Sequence, residues 1–199
     1  MLKRALDILV SLVSLVVLAA PMLLIALAIR LGSPGPVIFR QRRAGWRGRP
    51  FTMLKFRSMR ADVDPYGGSP HDGADPRLTR MGRWLRQTSL DELPQLLNVL
   101  AGQMSLVGPR PLYERQAQQW DARQRRRLDV RPGLTGYSQA YGRAGLTHEE
   151  KIELDLFYVD NRTIRLDLRI ILRTLMNMVG RRGEIYEQRY SRDKEREDH

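Results

Sequence analysis

The sequence contains no cysteine among its 199 residues and only three histidines, His71, His148 and His199. Without cysteine, the chain cannot form disulfides, iron–sulfur clusters, cysteine-bound zinc sites or thiol nucleophiles. The histidines lack the H-E-x-x-H and H-x-E spacings of histidine-built metal sites, so we expect them on the surface or in loops. These absences exclude thiol chemistry and argue against a metal centre built from histidine.

Lysine is also scarce, since only four of the 34 basic residues are lysines and the remaining 30 are arginines. Acidic residues number 22, so the net charge is +12 and the pI is near 10.8. This positive balance predicts an anionic partner, and arginine is the side chain that binds phosphate through two parallel hydrogen bonds. Nucleic acid, a phospholipid surface and a phosphorylated small substrate are all compatible with the charge.

One uncharged run of 22 residues extends from Ile8 to Ile29. A straight helix of that length would reach about 33 Å, against about 30 Å for the hydrocarbon core of a membrane. Both flanks are basic, with Lys3 and Arg4 before the run and nine positive and no negative residues over 30–60. The positive-inside rule therefore favours both ends on the cytoplasmic side, although the stronger C-terminal bias is able to orient a simple span by itself.

Pro21 lies within this run and removes the helical hydrogen bond to Val17, which predicts a kink. A kinked helix can enter and leave the same leaflet, so Pro21 is the predicted membrane break of a re-entrant hairpin. The freed backbone groups then need partners in lipid, which Ser14 supplies only in part. A cleavable signal peptide would have a shorter apolar core of about 7–15 residues. The residues alone leave the span and the hairpin open.

The rest of the sequence predicts a compact helical domain with a short β-hairpin, an α-dominant α+β fold. A breaker-rich hinge at 32–36 is expected to divide the chain into a membrane segment over 1–31 and a cytosolic domain over 32–199 with a charged C-terminal tail. Two strands are expected in PVIFRQ and PFTMLKF, around the turn-rich AGWRGR. The polar segment 62–75 is rich in glycine and proline, which indicates a loop able to order on a ligand.

Five helical patterns follow this loop. They cover residues 78–87, 91–101, 113–128, 147–160 and 164–180. Thr147 and Glu150 form a predicted capping box for the fourth. The fifth carries Arg165, Arg169 and Arg173 beside apolar residues, so it is either a core-facing helix with a solvated face or an amphipathic helix on lipid headgroups.

Two adjacent carboxylates, Asp91 and Glu92, lie near a predicted helix start in SLDELPQLLNVL. Ser89 and Glu92 fit a capping box, so a purely structural role is one interpretation. Consecutive helix positions diverge by about 100°, so the two carboxylates can instead serve separate tasks, one attacking and the other holding a metal ion. Helix N-terminal amides would attract a phosphate to the same place.

Two arginines are held by rigid or sharply turning neighbours, Arg110 in GPRP and Arg131 in DVRPGLTG. Such arginines lose little conformational entropy when they bind a ligand, although each motif alone is typical of a turn. A rival hypothesis is a membrane-tethered nucleic-acid binder, based on the arginine cluster at 123–127, but no recognised nucleic-acid motif accompanies it. A membrane-spanning scaffold protein is a third hypothesis.

The ordered motifs KFRSM, SLDELPQLLNVL, GQMSLVGPRP, DVRPGLTG and YGR resemble those of the bacterial sugar transferase family, the small monotopic phosphoglycosyl transferases. The resemblance implies transfer of a sugar 1-phosphate from a UDP-sugar to undecaprenyl phosphate, with release of UMP, as the first membrane step of polysaccharide assembly. It places the protein in the bacterial inner membrane, with its catalytic domain on the cytoplasmic face. It also implies the re-entrant form of the membrane segment.

Residue by residue, the resemblance makes Asp91 the nucleophile of a ping-pong cycle through a covalent phospho-sugar aspartate, and Glu92 its partner. Both carboxylates are then candidate ligands of a Mg²⁺ cofactor. The candidates for binding phosphate, nucleotide or sugar are Arg86, Arg110, Arg131, Arg143 and Asp155. Two positions depart from the family pattern, because Ala20 stands where serine is frequent and Tyr141 where asparagine is common. The sugar itself is not predicted.

Overall fold

A computed structural model of the chain describes residues 2–64, 66–67, 70, 73–142 and 146–179. Within these ranges the helices are α1 (Leu2–Val17), α2 (Ala19–Gly32), α3 (Arg80–Thr88), α4 (Gln95–Leu100), α5 (Glu114–Gln118), α6 (Ala122–Arg125), α7 (Tyr137–Tyr141), α8 (His148–Asn161) and α9 (Ile164–Val179). The strands are β1 (Ile38–Arg43), β2 (Phe51–Phe56), β3 (Ser105–Val107) and β4 (Gly133–Thr135). The predicted helix-dominated fold with a short hairpin is confirmed.

Helices α1 and α2 meet at a bend of 62°. The bend lies at Leu18, between the two helices, because Pro21 has no N–H to donate to the carbonyl of Val17. No single described helix is long and apolar enough to cross a membrane, and only by length and composition does the bent pair of α1 and α2 reach that limit. The predicted kink is confirmed, and its geometry fits both a broken span and a re-entrant hairpin.

Polar side chains tie the first turns of α1 to the rest of the protein. Asp7 is 4% exposed and accepts hydrogen bonds from the Ser105 hydroxyl at 2.8 Å and the Leu106 amide at 3.1 Å. The Lys3 ammonium donates to Asp167 at 2.6 Å and to the carbonyl of Val107 at 3.2 Å. These bonds fix α1 against β3. The predicted domain division at residue 31 stays a prediction.

Helices α1, α2 and α9 each carry several large apolar side chains that remain exposed. On α9 the core-facing residues are Asp167, Ile170 and Asn177, whereas Leu168 is 61% exposed and Leu172 is 59% exposed. Much of the apolar stripe of α9 therefore points away from the core of the described protein. Further exposed leucines on α1 and α2 are Leu9, Leu12, Leu23, Leu24 and Leu27.

Two small sheets complete the fold. Strands β1 and β2 form the predicted antiparallel hairpin, with Ile38 opposite Phe56 and Arg43 opposite Phe51. Strands β3 and β4 are parallel and pair Ser105 with Gly133. A side chain at position 133 would lie 2.1 Å from the Gly108 amide nitrogen, so only glycine permits this close backbone contact. The pairing holds the GPRP motif directly against the DVRPGLTG motif.

Two of the five helical patterns differ from the structure. Residues 91–101 were expected in one helix, but Leu90–Glu92 form a 3-10 turn and α4 begins at Gln95, after Pro94. The pattern 113–128 is divided into α5, α6 and a 3-10 turn, because Asp121 caps a new helix by accepting a hydrogen bond from the Gln124 amide.

The predicted capping box at Thr147 is confirmed, and the alternative interpretation of Ser89 and Glu92 as a capping box is not. Thr147 and Glu150 exchange the expected hydrogen bonds at the start of α8, at 2.9 and 3.3 Å. Ser89 does not cap a helix start, because it adopts a left-handed φ of 58° at the C-terminal end of α3. Glu92 is therefore free of the structural role that the Ser-x-x-Glu pattern suggested.

The side chain of Asn98 forms hydrogen bonds with the backbone of β2 of the kind that a neighbouring strand would make. Its amide oxygen accepts from the Leu54 N–H at 3.0 Å, and its amide nitrogen donates to the Thr52 carbonyl at 2.8 Å. The same nitrogen donates to Gln103 at 2.7 Å, and Asn98 is 3% exposed. This buried amide is fully bonded and joins α4 to the hairpin.

We expect Asn98→Leu to lower the free energy of unfolding by about 1–3 kcal/mol for each backbone group that it leaves unsatisfied. Chemical denaturation in detergent measures the change. Asn161→Leu is the matched control, since Asn161 is exposed and donates only to the Phe157 carbonyl. The control is expected to change the free energy of unfolding by less than about 0.5 kcal/mol. Equal losses in the two variants would contradict the assigned role of Asn98.

Candidate active site

Asp91 and Glu92 occupy the 3-10 turn between α3 and α4. The left-handed residue Ser89 ends α3 and redirects the chain, and Pro94 restricts the backbone before α4. Asp91 is 7% exposed, and the side chain of Glu92 is 18% exposed. Both adjacent carboxylates are therefore largely shielded from solvent. Charged groups in such surroundings require charged or hydrogen-bonding partners.

Lys55 and Arg110 supply those partners for Glu92. The Lys55 ammonium donates to Oε1 of Glu92 at 2.7 Å, and the Arg110 guanidinium donates to the same oxygen at 3.3 and 3.4 Å. Burial alone would raise the pKa of Glu92, but the charges and hydrogen bonds of Lys55 and Arg110 outweigh it and lower that pKa to about 2. Glu92 is therefore ionised throughout the physiological pH range.

Asp91 has a different electrostatic environment from its neighbour. Burial raises the pKa of Asp91, and the negative charge of Glu92 raises it further. The positive charges of Lys55, Arg86 and Arg110 oppose this rise. The two carboxylates are thus pushed apart in pKa, which is typical of paired groups that perform separate chemical tasks.

A small cleft, open to solvent, lies beside this turn. Its polar lining residues are Arg43, Lys55, Glu92, Gln95 and Arg110. Burial lowers the pKa of Arg43 to about 10, so this guanidinium stays charged at neutral pH. The guanidinium also packs on the Tyr113 ring, 3.8 Å from its centroid. Three cations and one paired carboxylate line the cleft, which therefore attracts a polyanion such as a diphosphate.

The structure places the predicted phosphate-binding arginines in different surroundings. Arg86 lies in the last turn of α3, and its charge acts on Asp91, as does that of Arg110 in the loop after β3. Arg131 instead donates to the Gly102 carbonyl at 2.8 Å and packs on the Trp46 ring at 4.4 Å. Its described contacts are structural, and its phosphate contact stays a prediction.

The YGR motif is described only in part. Arg143 lies outside the described residues, so its role also stays a prediction. Tyr141 is 46% exposed and stacks on Tyr137 with ring centroids 4.6 Å apart. Tyr141 stands where the family commonly has asparagine, and it thus adds an aromatic pair to α7.

Asp155 lies beneath the Arg110 loop and is 1% exposed. One carboxylate oxygen accepts from the Ser138 hydroxyl at 2.7 Å, and the other accepts from Arg127. The same nitrogen of Arg127 also donates to the carbonyl of Arg110 at 3.2 Å. The buried Asp155–Arg127 pair therefore supports the backbone that presents Arg110, and direct contact of Asp155 with uridine or sugar stays a prediction.

The arginine cluster at 123–127 makes internal contacts. Three of its four arginines pair with carboxylates of α8, and one of these pairs is buried. The pairs are Arg123 with Glu153, Arg126 with Asp160 and Arg127 with Asp155. This arrangement neutralises much of the cluster and does not favour the nucleic-acid hypothesis.

Sequence reasoning missed Lys55, Arg43 and Gln95 as site residues. Lys55 had an available signal, since it is the one charged residue in the otherwise neutral strand FTMLKF. Arg43 and Gln95 had no comparable signal, because only the pairing of the hairpin with α4 brings them to the cleft. Long-range packing therefore decides the complete composition of the site.

Comparison with known proteins identifies the family. The bacterial sugar transferase family matches residues 1–181. The chain is 42% identical over 182 residues to sugar transferase EpsL of Bacillus subtilis, which covers 92% of this chain and 89% of that protein. It is 44% identical over 196 residues to the exopolysaccharide production protein PSS of Rhizobium leguminosarum, covering 90% of this chain and 96% of the relative.

A third relative is the UDP-glucose:undecaprenyl-phosphate glucose-1-phosphate transferase of Escherichia coli, at 42% identity over 183 residues. The match covers 88% of this chain but only 39% of the Escherichia coli protein. The resemblance found in the ordered motifs is thereby confirmed. The chain belongs to the bacterial sugar transferase family, whose named relatives include sugar-phosphate transferases.

Proposed function

We propose that the protein transfers a sugar 1-phosphate from a UDP-sugar to undecaprenyl phosphate and releases UMP. The observation that carries this proposal is the cleft lined by Glu92, Arg43, Lys55 and Arg110, beside the turn that also holds the buried Asp91. The cations favour a diphosphate, and the buried carboxylate beside them provides a nucleophile. The product would be an undecaprenyl-diphosphate-linked sugar, the first membrane intermediate of polysaccharide assembly.

In the proposed first step, a carboxylate oxygen of Asp91 attacks the β-phosphorus of the UDP-sugar. The bond from this phosphorus to the bridging oxygen breaks, and UMP leaves with the electron pair. A phosphate oxygen of undecaprenyl phosphate then attacks the same phosphorus and releases the Asp91 carboxylate. The two displacements form a ping-pong cycle in which the enzyme returns unchanged.

The surrounding residues have separate roles in this cycle. Arg43 and Arg110 would bind the diphosphate, and Arg86 would add positive charge near Asp91. Lys55 holds Glu92 at 2.7 Å and also lowers the pKa of Asp91, which keeps more of the nucleophile ionised. The cleft thereby concentrates positive charge where the transferred phosphoryl group carries negative charge.

We propose Mg²⁺ as the cofactor, held by the adjacent carboxylates Asp91 and Glu92. The described residues contain no cluster of three or more metal-ligating side chains, so substrate phosphates and water would supply the other ligands, as is usual for this ion. Lys55 and Arg110 both bind Oε1 of Glu92, which leaves Oε2 for other contacts. When bound, Mg²⁺ would neutralise charge on the diphosphate and on the leaving UMP.

The names of the relatives suggest which donors to test. The proteins from Escherichia coli, Caulobacter vibrioides and Xanthomonas campestris are named for UDP-glucose. One from Aeromonas hydrophila, at 38% identity, is named for UDP-N-acetylgalactosamine. We propose UDP-glucose as the first donor and UDP-N-acetylgalactosamine as the second.

We further propose that α1 and α2 form a re-entrant hairpin, with the catalytic domain on the cytoplasmic face of the inner membrane. The exposed leucines of α1 and α2 would face lipid chains, and those of α9 would lie at the headgroups. Lys3, at the start of α1, pairs with Asp167 on α9, so the N-terminal end of α1 lies beside α9. Exposed arginines of α9, such as Arg169 and Arg173, would favour anionic lipid.

The reaction is tested with detergent-solubilised protein, Mg²⁺ and UDP-glucose, with and without undecaprenyl phosphate. We expect acceptor-dependent UMP release, reduced by about 10,000-fold or more in Asp91→Asn because the amide is not a nucleophile. The exposed residue Asp62 provides the matched control, and Asp62→Asn should retain full activity. Substantial turnover by a folded Asp91→Asn protein would remove the assignment.

Lys55→Met is expected to move the acid limb of the pH profile of kcat/KM to higher pH. The positive charge of Lys55 lowers the pKa of Asp91, so its removal raises that pKa and protonates the nucleophile at a higher pH. At neutral pH we expect kcat/KM to fall by about 10- to 100-fold. Arg42→Met, which removes an exposed cation of the same hairpin, serves as the control. An acid limb that stays in place would argue against ionised Asp91 as the attacking group.

The absence of cysteine permits a direct test of topology by single-cysteine labelling. Leu2→Cys places an exposed thiol at the first residue of α1, and Arg49→Cys places one after the end of α2. For a re-entrant hairpin, a membrane-impermeant maleimide should label both in inverted membrane vesicles and neither in intact cells. Labelling of the two positions from opposite sides would instead establish a span.

A further inference from the structure

We infer that Gln95 is a donor-binding residue whose side-chain amide nitrogen donates a hydrogen bond to the diphosphate of the sugar nucleotide. The inference rests on the proposed function, since it names a further residue of the same cleft. Gln95 is the first residue of α4 and lies three positions after Glu92. It was not among the predicted site residues and emerges only from the structure.

Gln95 is buried in the wall of the cleft, and its Nε2 atom is shielded from solvent. The residue is 2% exposed, and it lines the cleft together with Lys55, Glu92 and Arg110. Its Nε2 atom has no hydrogen-bond partner in the part of the chain that the structure describes. A buried amide N–H without a partner destabilises a protein, so such a group requires an explanation.

Asn98 provides an internal comparison on the same helix. This second amide of α4 is equally buried, and its side chain bonds to Leu54, Thr52 and Gln103. The helix therefore buries one amide with all its partners and one with a vacant donor. The vacant donor is the one at the cleft, which indicates that its partner is a ligand.

The chemistry of the cleft identifies that ligand as a phosphate group. An amide nitrogen is a donor only, so it requires an acceptor oxygen. The cations Arg43, Lys55 and Arg110 select an anionic ligand, and the oxygens of a diphosphate satisfy both requirements. A neutral donor adds no charge, so Gln95 would orient the diphosphate that the cations attract.

Gln95→Met removes the donor while it keeps an unbranched side chain of similar size. We expect kcat/KM for UDP-glucose to fall by about 10- to 100-fold, the effect of losing one hydrogen bond to a charged group. The thermal midpoint of the ligand-free protein should stay the same or rise, because an unsatisfied buried donor is removed. A structural role for Gln95 would instead lower that midpoint.

Gln139→Met is the matched control. Gln139 donates to the Leu134 carbonyl at 3.3 Å and does not line the cleft, so its substitution should leave kcat/KM for UDP-glucose unchanged. A second measurement follows binding alone, as the rise in thermal midpoint that UDP-glucose produces in each protein. We expect this rise in wild type and in Gln139→Met, and a smaller rise in Gln95→Met.

The outcomes separate the inference from the proposed function. A wild-type kcat/KM and a wild-type ligand shift in Gln95→Met would overturn the inference and leave the reaction intact. A lower thermal midpoint of ligand-free Gln95→Met would overturn it in favour of a structural role. If the wild-type protein binds UDP-glucose without releasing UMP, the proposed reaction fails while the ligand shift still decides the role of Gln95. No shift in wild type would overturn both.

Discussion

The ion pair between Lys55 and Glu92 is the interaction on which the site depends. It joins a cation of the hairpin to a carboxylate of the turn after α3, and both side chains are largely buried. Either charge alone would be costly to bury, so the two elements must meet for the site to exist. The pair also contributes to the difference in pKa between the two adjacent carboxylates. Glu92 is held ionised by its cations, and burial makes Asp91 harder to ionise.

The remaining architecture holds the partners of this pair in place. Arg110 reaches Glu92 from the loop after β3, and the buried Arg127–Asp155 pair supports the backbone of that loop. The first turns of α1 bind the same strand through Asp7. A continuous series of contacts therefore connects the apolar N-terminal helices to the cationic side of the cleft. In the proposed function, this series sets the height of the active site above the membrane.

The sequence predicts the local elements well, since these depend on short-range patterns. The kink at Pro21, the hairpin and the capping box at Thr147 all follow from neighbouring residues. Arg131 shows the limit of such reasoning, because its packing on Trp46 depends on how the hairpin meets a distant loop. The same holds for Gln95, whose burial at the cleft is decided by tertiary packing that no motif records.

The central claim is that Asp91 carries the sugar phosphate covalently between two displacements. The most direct test is isotope exchange between labelled UMP and UDP-glucose with Mg²⁺ and no undecaprenyl phosphate. A ping-pong cycle predicts that label enters UDP-glucose without the acceptor, because the first displacement is reversible by itself. Asp91→Asn should show no exchange. Acceptor-dependent UMP release from an active protein that exchanges no label in the acceptor's absence would contradict the covalent mechanism and indicate direct transfer.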